Sequence, residues 1–154
     1  MDIRIERLDE QDINRFSDLV NTVFDRFVGP DYSDAGNRTF KEYTDPARMV
    51  QRLRAGGDFF AAWDGETLAG ALEIRDQDHV SLFFVDERYH GRGVGRKLFS
   101  YYTGLLRREH PGIRQVTVNS SLYAEPVYAA LGFEKTGEAM ERDGIRFIPM
   151  EYNL

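Results

Sequence analysis

Between residues 79 and 120 the hydrophobic pattern changes period twice around a glycine loop. HVSLFFV, His79 to Val85, is a short apolar run that reads as a buried strand. YHGRGVGRKL follows, with Gly91, Gly93 and Gly95 at alternate positions, a density that weakens any regular element. From Val94 to Glu109 the apolar residues Val94, Leu98, Tyr101/Tyr102 and Leu105 mark one stripe of a helix, which Pro111-Gly112 stops. RQVTVN then reads as a second strand. A strand–helix–strand crossover pairs its strands in parallel, so the sheet must be mixed. The strand end, glycine turn and helix start also make an anion site: the first helical N–H groups are unpaired and the dipole adds positive potential.

The flanking segments complete the sheet. IRIERL alternates with a period of two and predicts a strand; Asp9 can cap the helix that follows, with Asp12 in its first turn. Ile13, Phe16, Leu19/Val20, Val23/Phe24 and Phe27 carry the helical period, which ends near Val28–Pro30. DYSDAGNRTF reads as loop or a broken helical turn, and Asp45-Pro46 opens a second helix that Gly56-Gly57 closes. DFFAAWD and TLAGALEIR flank the hairpin signal Asp64-Gly65. After RQVTVN, YAEPVYAALG is a short helix ended by Gly132, and FEKTGEAM and GIRFIPMEY are two closing strands around Asp143-Gly144. The predicted order is β-α-α-β-β-β-α-β-α-β-β: one α+β domain over residues 1–154, with a mixed, mostly antiparallel sheet flanked by helices.

Composition excludes several function classes. No cysteine is present, so a disulfide scaffold, a thiolate zinc site and a cysteine nucleophile are all ruled out. The first residues, MDIRIERLDE, have no apolar core of a signal peptide, and no run approaches the roughly 18 apolar residues of a membrane span. A cytoplasmic location with no membrane partner is the expectation. The net charge of −6 argues against nonspecific nucleic-acid binding. Yet residues 88–114 hold seven Arg/Lys against the single acid Glu109, a basic island in an acidic chain.

Three known glycine loops compete for that island. A P-loop requires Gly-x-x-x-x-Gly-Lys-Ser/Thr, but Arg96 follows Gly95. A dinucleotide fingerprint requires a third glycine where Arg96 stands and an acid at the end of a following strand, where REHPGIR lies instead. HGRGVG resembles the acyl-CoA loop of the GNAT superfamily of N-acetyltransferases, whose pattern is Gln/Arg-x-x-Gly-x-Gly/Ala. Gly93 and Gly95 match, and His90 departs from the usual Gln or Arg. NSSLYAEPVYAALGF resembles that family's next block, with Asn119, Tyr128, Gly132 and Phe133 in matching positions. The motifs cover about His79 to Phe133; the first 60 residues match in element order only.

The resemblance implies an N-acetyltransferase that uses acetyl-CoA as cosubstrate and no metal. Backbone N–H groups through His90, Gly91, Arg92, Gly93, Val94, Gly95 and Arg96 would take the pyrophosphate, and Arg92, Arg96 and Lys97 could neutralise its charge. The SLFFV and QVTVN strands would splay apart at their C-terminal ends, the pantetheine arm would pair with backbone near Phe84 and Val85, as an added strand does, and Asn119 would bond an arm amide or hold the strand end. Tyr128 stands at the position of the acid that protonates the leaving thiolate. The route implied is direct attack of a neutral amine on the thioester. The general base is open: Glu73, His79, Glu125 or a water relay.

Two N-terminal helices would supply the acceptor pocket. Aromatic residues there, Tyr32 and Tyr43 foremost, stand among several acids and suit a cationic amine by charge and cation–π contact; Glu73 is a further acceptor-side candidate. The acceptor class is then a small-molecule amine or a peptide N-terminus rather than a carboxylate-rich substrate, and a homodimer is open. Two rival readings remain: a non-catalytic acyl-CoA sensor or interaction module on the same fold, and a nucleotide-dependent kinase or ATPase.

Overall fold

The computed structural model describes residues 1–154. Strand β1 (Ile3–Arg7) leads through a short 3-10 turn into helix α1 (Ile13–Phe27), followed by α2 (Asp34–Tyr43) and α3 (Pro46–Arg54). Strands β2 (Asp58–Asp64), β3 (Thr67–Arg75) and β4 (His79–Val85) form successive hairpins. Helix α4 (Val94–Glu109) crosses over to β5 (Gln115–Ser120), and α5 (Glu125–Leu131) precedes β6 (Glu134–Lys135), β7 (Met140–Arg142) and β8 (Ile145–Asn153). One eight-stranded sheet results, in the order β1-β2-β3-β4-β5-β8-β6 with β7 on β8; β4–β5 is its parallel pair.

Helices cover both faces of β2 and β3, so these strands are buried along nearly their whole length rather than alternating, whereas β4 and β5 alternate. Phe59 and Ala61 of β2 face α1 and α3, packing with Phe16, Val20 and Met49. Phe60 and Ala62 face the other way, with Leu98 and Tyr102 of α4. Close approach of α4 explains Gly70: a Cβ there would stand 3.2 Å from Val94 and 3.3 Å from Leu98.

Four local expectations are revised. Residues 34–43 form a helix, capped by Ser33, whose hydroxyl accepts the Gly36 N–H at 3.0 Å. Gly36 is not a breaker there, because a Cβ would run into the Gly144 carbonyl of the β7–β8 turn. Asp9 caps the 3-10 turn rather than α1, accepting the Gln11 N–H at 3.0 Å. The buried stripe of α4 runs through Leu98, Phe99, Tyr102 and Leu106, while Tyr101 is exposed. The first closing strand is split: Glu134–Lys135 pairs with Met150–Glu151, the chain bulges past Gly137, and Met140–Arg142 pairs again with Ile145–Phe147.

Strands β4 and β5 diverge. They pair only at His79–Thr117 and Val80–Val118. Beyond that, β4 stays on β3 as far as Val85–Gly70, and β5 stays on β8 as far as Ser120–Ile148. Each is held from outside, and an irregularity at Ser81 bends β4 away. The inner edges therefore separate into a V.

Candidate active site

The V and the glycine loop share one cleft of about 910 Å³, lined by Gly91 and Gly93–Arg96 at one end and by Tyr43, Arg75 and His79 at the other. Backbone polarity along its β4 edge follows from the ladder. Asp86 N–H donates to Ala69 O at 2.9 Å. Antiparallel pairs alternate, so the Phe84 backbone bonds β3, and the N–H and C=O of Val85 and Phe83 point toward the gap. Phe84 instead contributes its ring, edge-on to Phe40 at 5.9 Å. The expected strand-like docking edge thus centres on Phe83 and Val85, not Phe84.

His90 acts on that edge. Its Nε2 lies 2.7 Å from Val85 O. The imidazole occupies the carbonyl and leaves the Val85 N–H free, a use of this position that the departure from Gln or Arg does not disclose.

In the loop, Tyr89, His90 and Arg92 N–H groups are tied into turns, Arg92 to Tyr89 O at 3.3 Å. The N–H groups of Gly91, Gly93, Val94, Gly95 and Arg96 bond no backbone carbonyl. Gly91 (φ 73°) and Gly93 (φ 82°) hold left-handed conformations with open space where a Cβ would be. That conformation turns successive amides outward at the start of α4, a concave donor set fit for an anion. Arg92, expected among the cofactor-binding residues, is absent from the lining: its amide is tied, and its guanidinium lies over the Tyr89 ring at 5.3 Å and donates to Arg88 O at 3.4 Å. The Arg96 guanidinium donates to Ala130 O at 2.9 Å, joining α4 to the end of α5.

Tyr128 is delivered by a compact turn. Ser121 Oγ accepts the Ala124 N–H at 3.1 Å, starting α5, and Gly132 (φ 112°) ends it. The Tyr128 ring packs edge-on against Phe83 and Phe133, at 5.9 and 5.2 Å, and lines the cleft. Burial, with the neighbouring Tyr32 hydroxyl, pushes its phenol well above the ordinary value, so it stays protonated. Burial pushes Tyr32 up to about 12. Asn119, at the end of β5, is exposed and lines the same cleft.

The base candidates separate. Glu73 does not reach the cleft: it is buried beneath Tyr43 in a two-point ion pair with Arg52, at 2.7 and 3.0 Å, and the Arg52 guanidinium stacks on Tyr43 at 3.8 Å. Its expected acceptor role is corrected to a structural one. Glu125 pairs with Lys135 at 3.4 Å, away from the lining. His79 does line the cleft, with Nδ1 2.8 Å from Thr117 Oγ1 at the closed end of the V. Burial, aided by the charge of Arg75, lowers its pKa and keeps it neutral.

Tyr32 and Tyr43 both line the acceptor end, beside Phe24 and Phe40. The acids expected around them do not: Asp25 pairs with Lys41 at 2.6 Å, Asp34 and Glu42 are absent from the lining, and Asp31 lines a small separate hollow with Tyr32 and Arg146. The β7–β8 turn covers this end, held to α2 by Ser33 Oγ donating to Gly144 O at 3.0 Å. It brings in Arg142 and Asp143, which sequence reasoning missed. Its Asp-Gly turn was legible, but where it docks was not. No group of three or more His, Asp or Glu side chains that could hold a metal converges, and no helix is long and apolar enough to cross a membrane.

A family model described as an acetyltransferase (GNAT) domain matches residues 28–154. The chain belongs to the GNAT acetyltransferase family. A UPF0039 protein of Schizosaccharomyces pombe is 29% identical over 105 residues, 66% of this chain and 70% of that one. Among solved structures, a GCN5-related N-acetyltransferase from Rhodopseudomonas palustris superposes with a TM-score of 0.84 at 18% identity, covering 100% of this chain and 97% of that one. The PaiA N-acetyltransferase of Thermoplasma acidophilum, solved with coenzyme A, gives 0.76 at 18% identity over 100% of both chains. YncA of Salmonella typhimurium, solved with acetyl-CoA, gives 0.69 at 18% identity, covering 99% and 94%. At these identities the likeness is one of fold, and it is shared by the whole GNAT sheet with its flanking helices.

Proposed function

We propose that residues 1–154 act as one cytoplasmic acetyltransferase unit, moving an acetyl group from acetyl-CoA to a primary amine by direct transfer. The acceptor is a small amine or an N-terminal amino group. The observation that carries this reading is the continuity of two features: unpaired amides at Gly91 and Gly93–Arg96 open onto the same cleft that Tyr128 and the free Val85 N–H line.

Each group then has a task set by its surroundings. The loop amides bind diphosphate, and glycine lets the backbone approach it. Phe83, beside Val85, offers its N–H and C=O as a strand edge to the amides of the arm. The Val85 N–H, fixed before reaction, is placed to polarise the thioester carbonyl. The amine nitrogen forms the new C–N bond as C–S breaks; its proton goes to neutral His79, directly or through water. Tyr128 gives its proton to sulfur. Its raised pKa makes it a weaker acid, but the same desolvation raises the affinity of the thiolate for a proton.

The test is thiol release from acetyl-CoA with a panel of amines, alongside thermal melting. Coenzyme A, and not ATP with magnesium, is expected to raise the melting temperature, since a ligand stabilises the state it binds. Stabilisation by coenzyme A without release on any amine would reduce the chain to an acyl-CoA-binding module.

A further inference from the structure

The acceptor end of the cleft is basic, although the chain is acidic overall. Its lining charges there are Arg75 from β3 and Arg142 and Asp143 from the β7–β8 turn, beside neutral His79. Neither arginine is committed. Arg75 has only Asp76 within ion-pair range, at 3.9 Å, and that carboxylate is 84% exposed, a pair worth little in water. Arg142 lies over the Phe147 ring at 5.5 Å and pairs with no carboxylate. Asp143 sits in the left-handed turn at φ 54°, where the chain reverses.

Two further features point to a ligand. The Tyr43 hydroxyl is buried with only the Ser81 side chain as a nearby hydrogen-bonding group, and it feels the charges of Glu73, Arg52 and, least, Arg75. The turn that carries Arg142 is anchored at Thr39, whose Oγ1 lies 3.4 Å from Asp143 O. Thr39 and Tyr43 are one helical turn apart on α2, about 6 Å along the axis. The helix thus sets an arginine-bearing turn and an arginine-flanked hydroxyl side by side over one opening. Such donors, forked and always charged, match a carboxylate.

We infer that the acceptor is an amine that also carries a carboxylate, held by Arg75 and Arg142 at the mouth of the cleft. This rests on the acetyltransferase reading above. The carboxylate anchors the molecule at the mouth while its amine points inward to His79 and the thioester.

Matched acceptors test it: tyrosine against tyramine, and β-alanine against ethylamine, with phosphoethanolamine against ethanolamine as the phosphate arm. Thiol release in the wild type is expected to favour the carboxylated partner by roughly tenfold or more in kcat/KM. Arg142→Gln and Arg75→Gln are each expected to erase most of that preference by raising KM for the carboxylated acceptor, with Arg142→Lys recovering part. Stabilisation by coenzyme A should persist in every variant. Equal or better turnover of the plain amines overturns the carboxylate site while leaving the acetyltransferase reading intact; a preference confined to phosphoethanolamine also overturns it. Coenzyme A binding with no acetylation of any acceptor overturns both.

Discussion

Arg52 grips Glu73 through two bonds, Nε to Oε2 at 2.7 Å and Nη2 to Oε1 at 3.0 Å. The pair joins α3 to the middle of β3 and takes the most deeply buried acid out of the chemistry. Glu73→Gln or Arg52→Met strands a buried polar partner, which costs about 3 kcal/mol. For a chain of this length that corresponds to a fall of roughly 6–12 °C in melting temperature. Turnover per folded molecule is expected to hold in Glu73→Gln. A large loss of kcat in that variant, with melting unchanged, would return Glu73 to the list of bases.

The amide cradle is best probed at Gly95. Gly93 is the obvious target, but at φ 82° any side chain adds about 1–2 kcal/mol of backbone strain, so lost binding would be confounded with lost stability. Gly95 is in the first turn of α4, where a Cβ meets Phe83 at an ordinary 3.5 Å. Gly95→Glu places negative charge among the unpaired amides and favours the helix dipole. The expectation is a melting temperature near or above wild type and coenzyme A affinity reduced at least about 100-fold, read by calorimetry. Wild-type affinity would contradict diphosphate binding at these amides.

Tyr128→Phe keeps the ring packed on Phe83 and Phe133 and removes only the proton. It is expected to lower kcat about 100-fold with little change in KM for acetyl-CoA, the signature of a group needed in the transition state. Unchanged kcat would leave Tyr128 as packing.

His79 sets the acid limb. Its folded pKa lies below the ordinary value of about 6.5, so the fold favours the neutral ring. Its contribution to stability is full above about 6.5 and is lost as pH falls through the folded pKa. Activity should follow the same sense: log kcat/KM is expected to rise with pH as the amine acceptor loses its proton and to show a further decline below about pH 6.5, and His79→Gln should remove that second inflection. An inflection that survives the substitution would assign the proton to water or another group.

Residues 79–133 were readable because their constraints are local. A glycine loop, a helix start and a Gly132 stop all depend on near neighbours, and the resemblance rests on the same stretch. Helix α2 was not readable as a helix. Its Ser33, Asp34, Gly36 and Asn37 are turn formers in isolation, and Gly36 is required by the Gly144 carbonyl from the far end of the chain. Glu73 looked available for chemistry because its partner, Arg52, is brought to it only by the packing of α3. Arg75 and Arg142 drew no notice because each is an ordinary surface charge until α2 and the β7–β8 turn enclose the cleft.

By itself the amino-acid order determined most of the strands and helices, the parallel crossover around α4, and the place of the glycine loop at a helix start, since dihedral preference and hydrophobic period act over a few residues. That β4 and β5 part was expected from the resemblance, but the tertiary structure decided where, beyond Val80 and Val118, because β3 and β8 hold them from opposite sides. It also decided which charges face the opening. Both depend on contacts between residues far apart in the chain, to which no local pattern is sensitive.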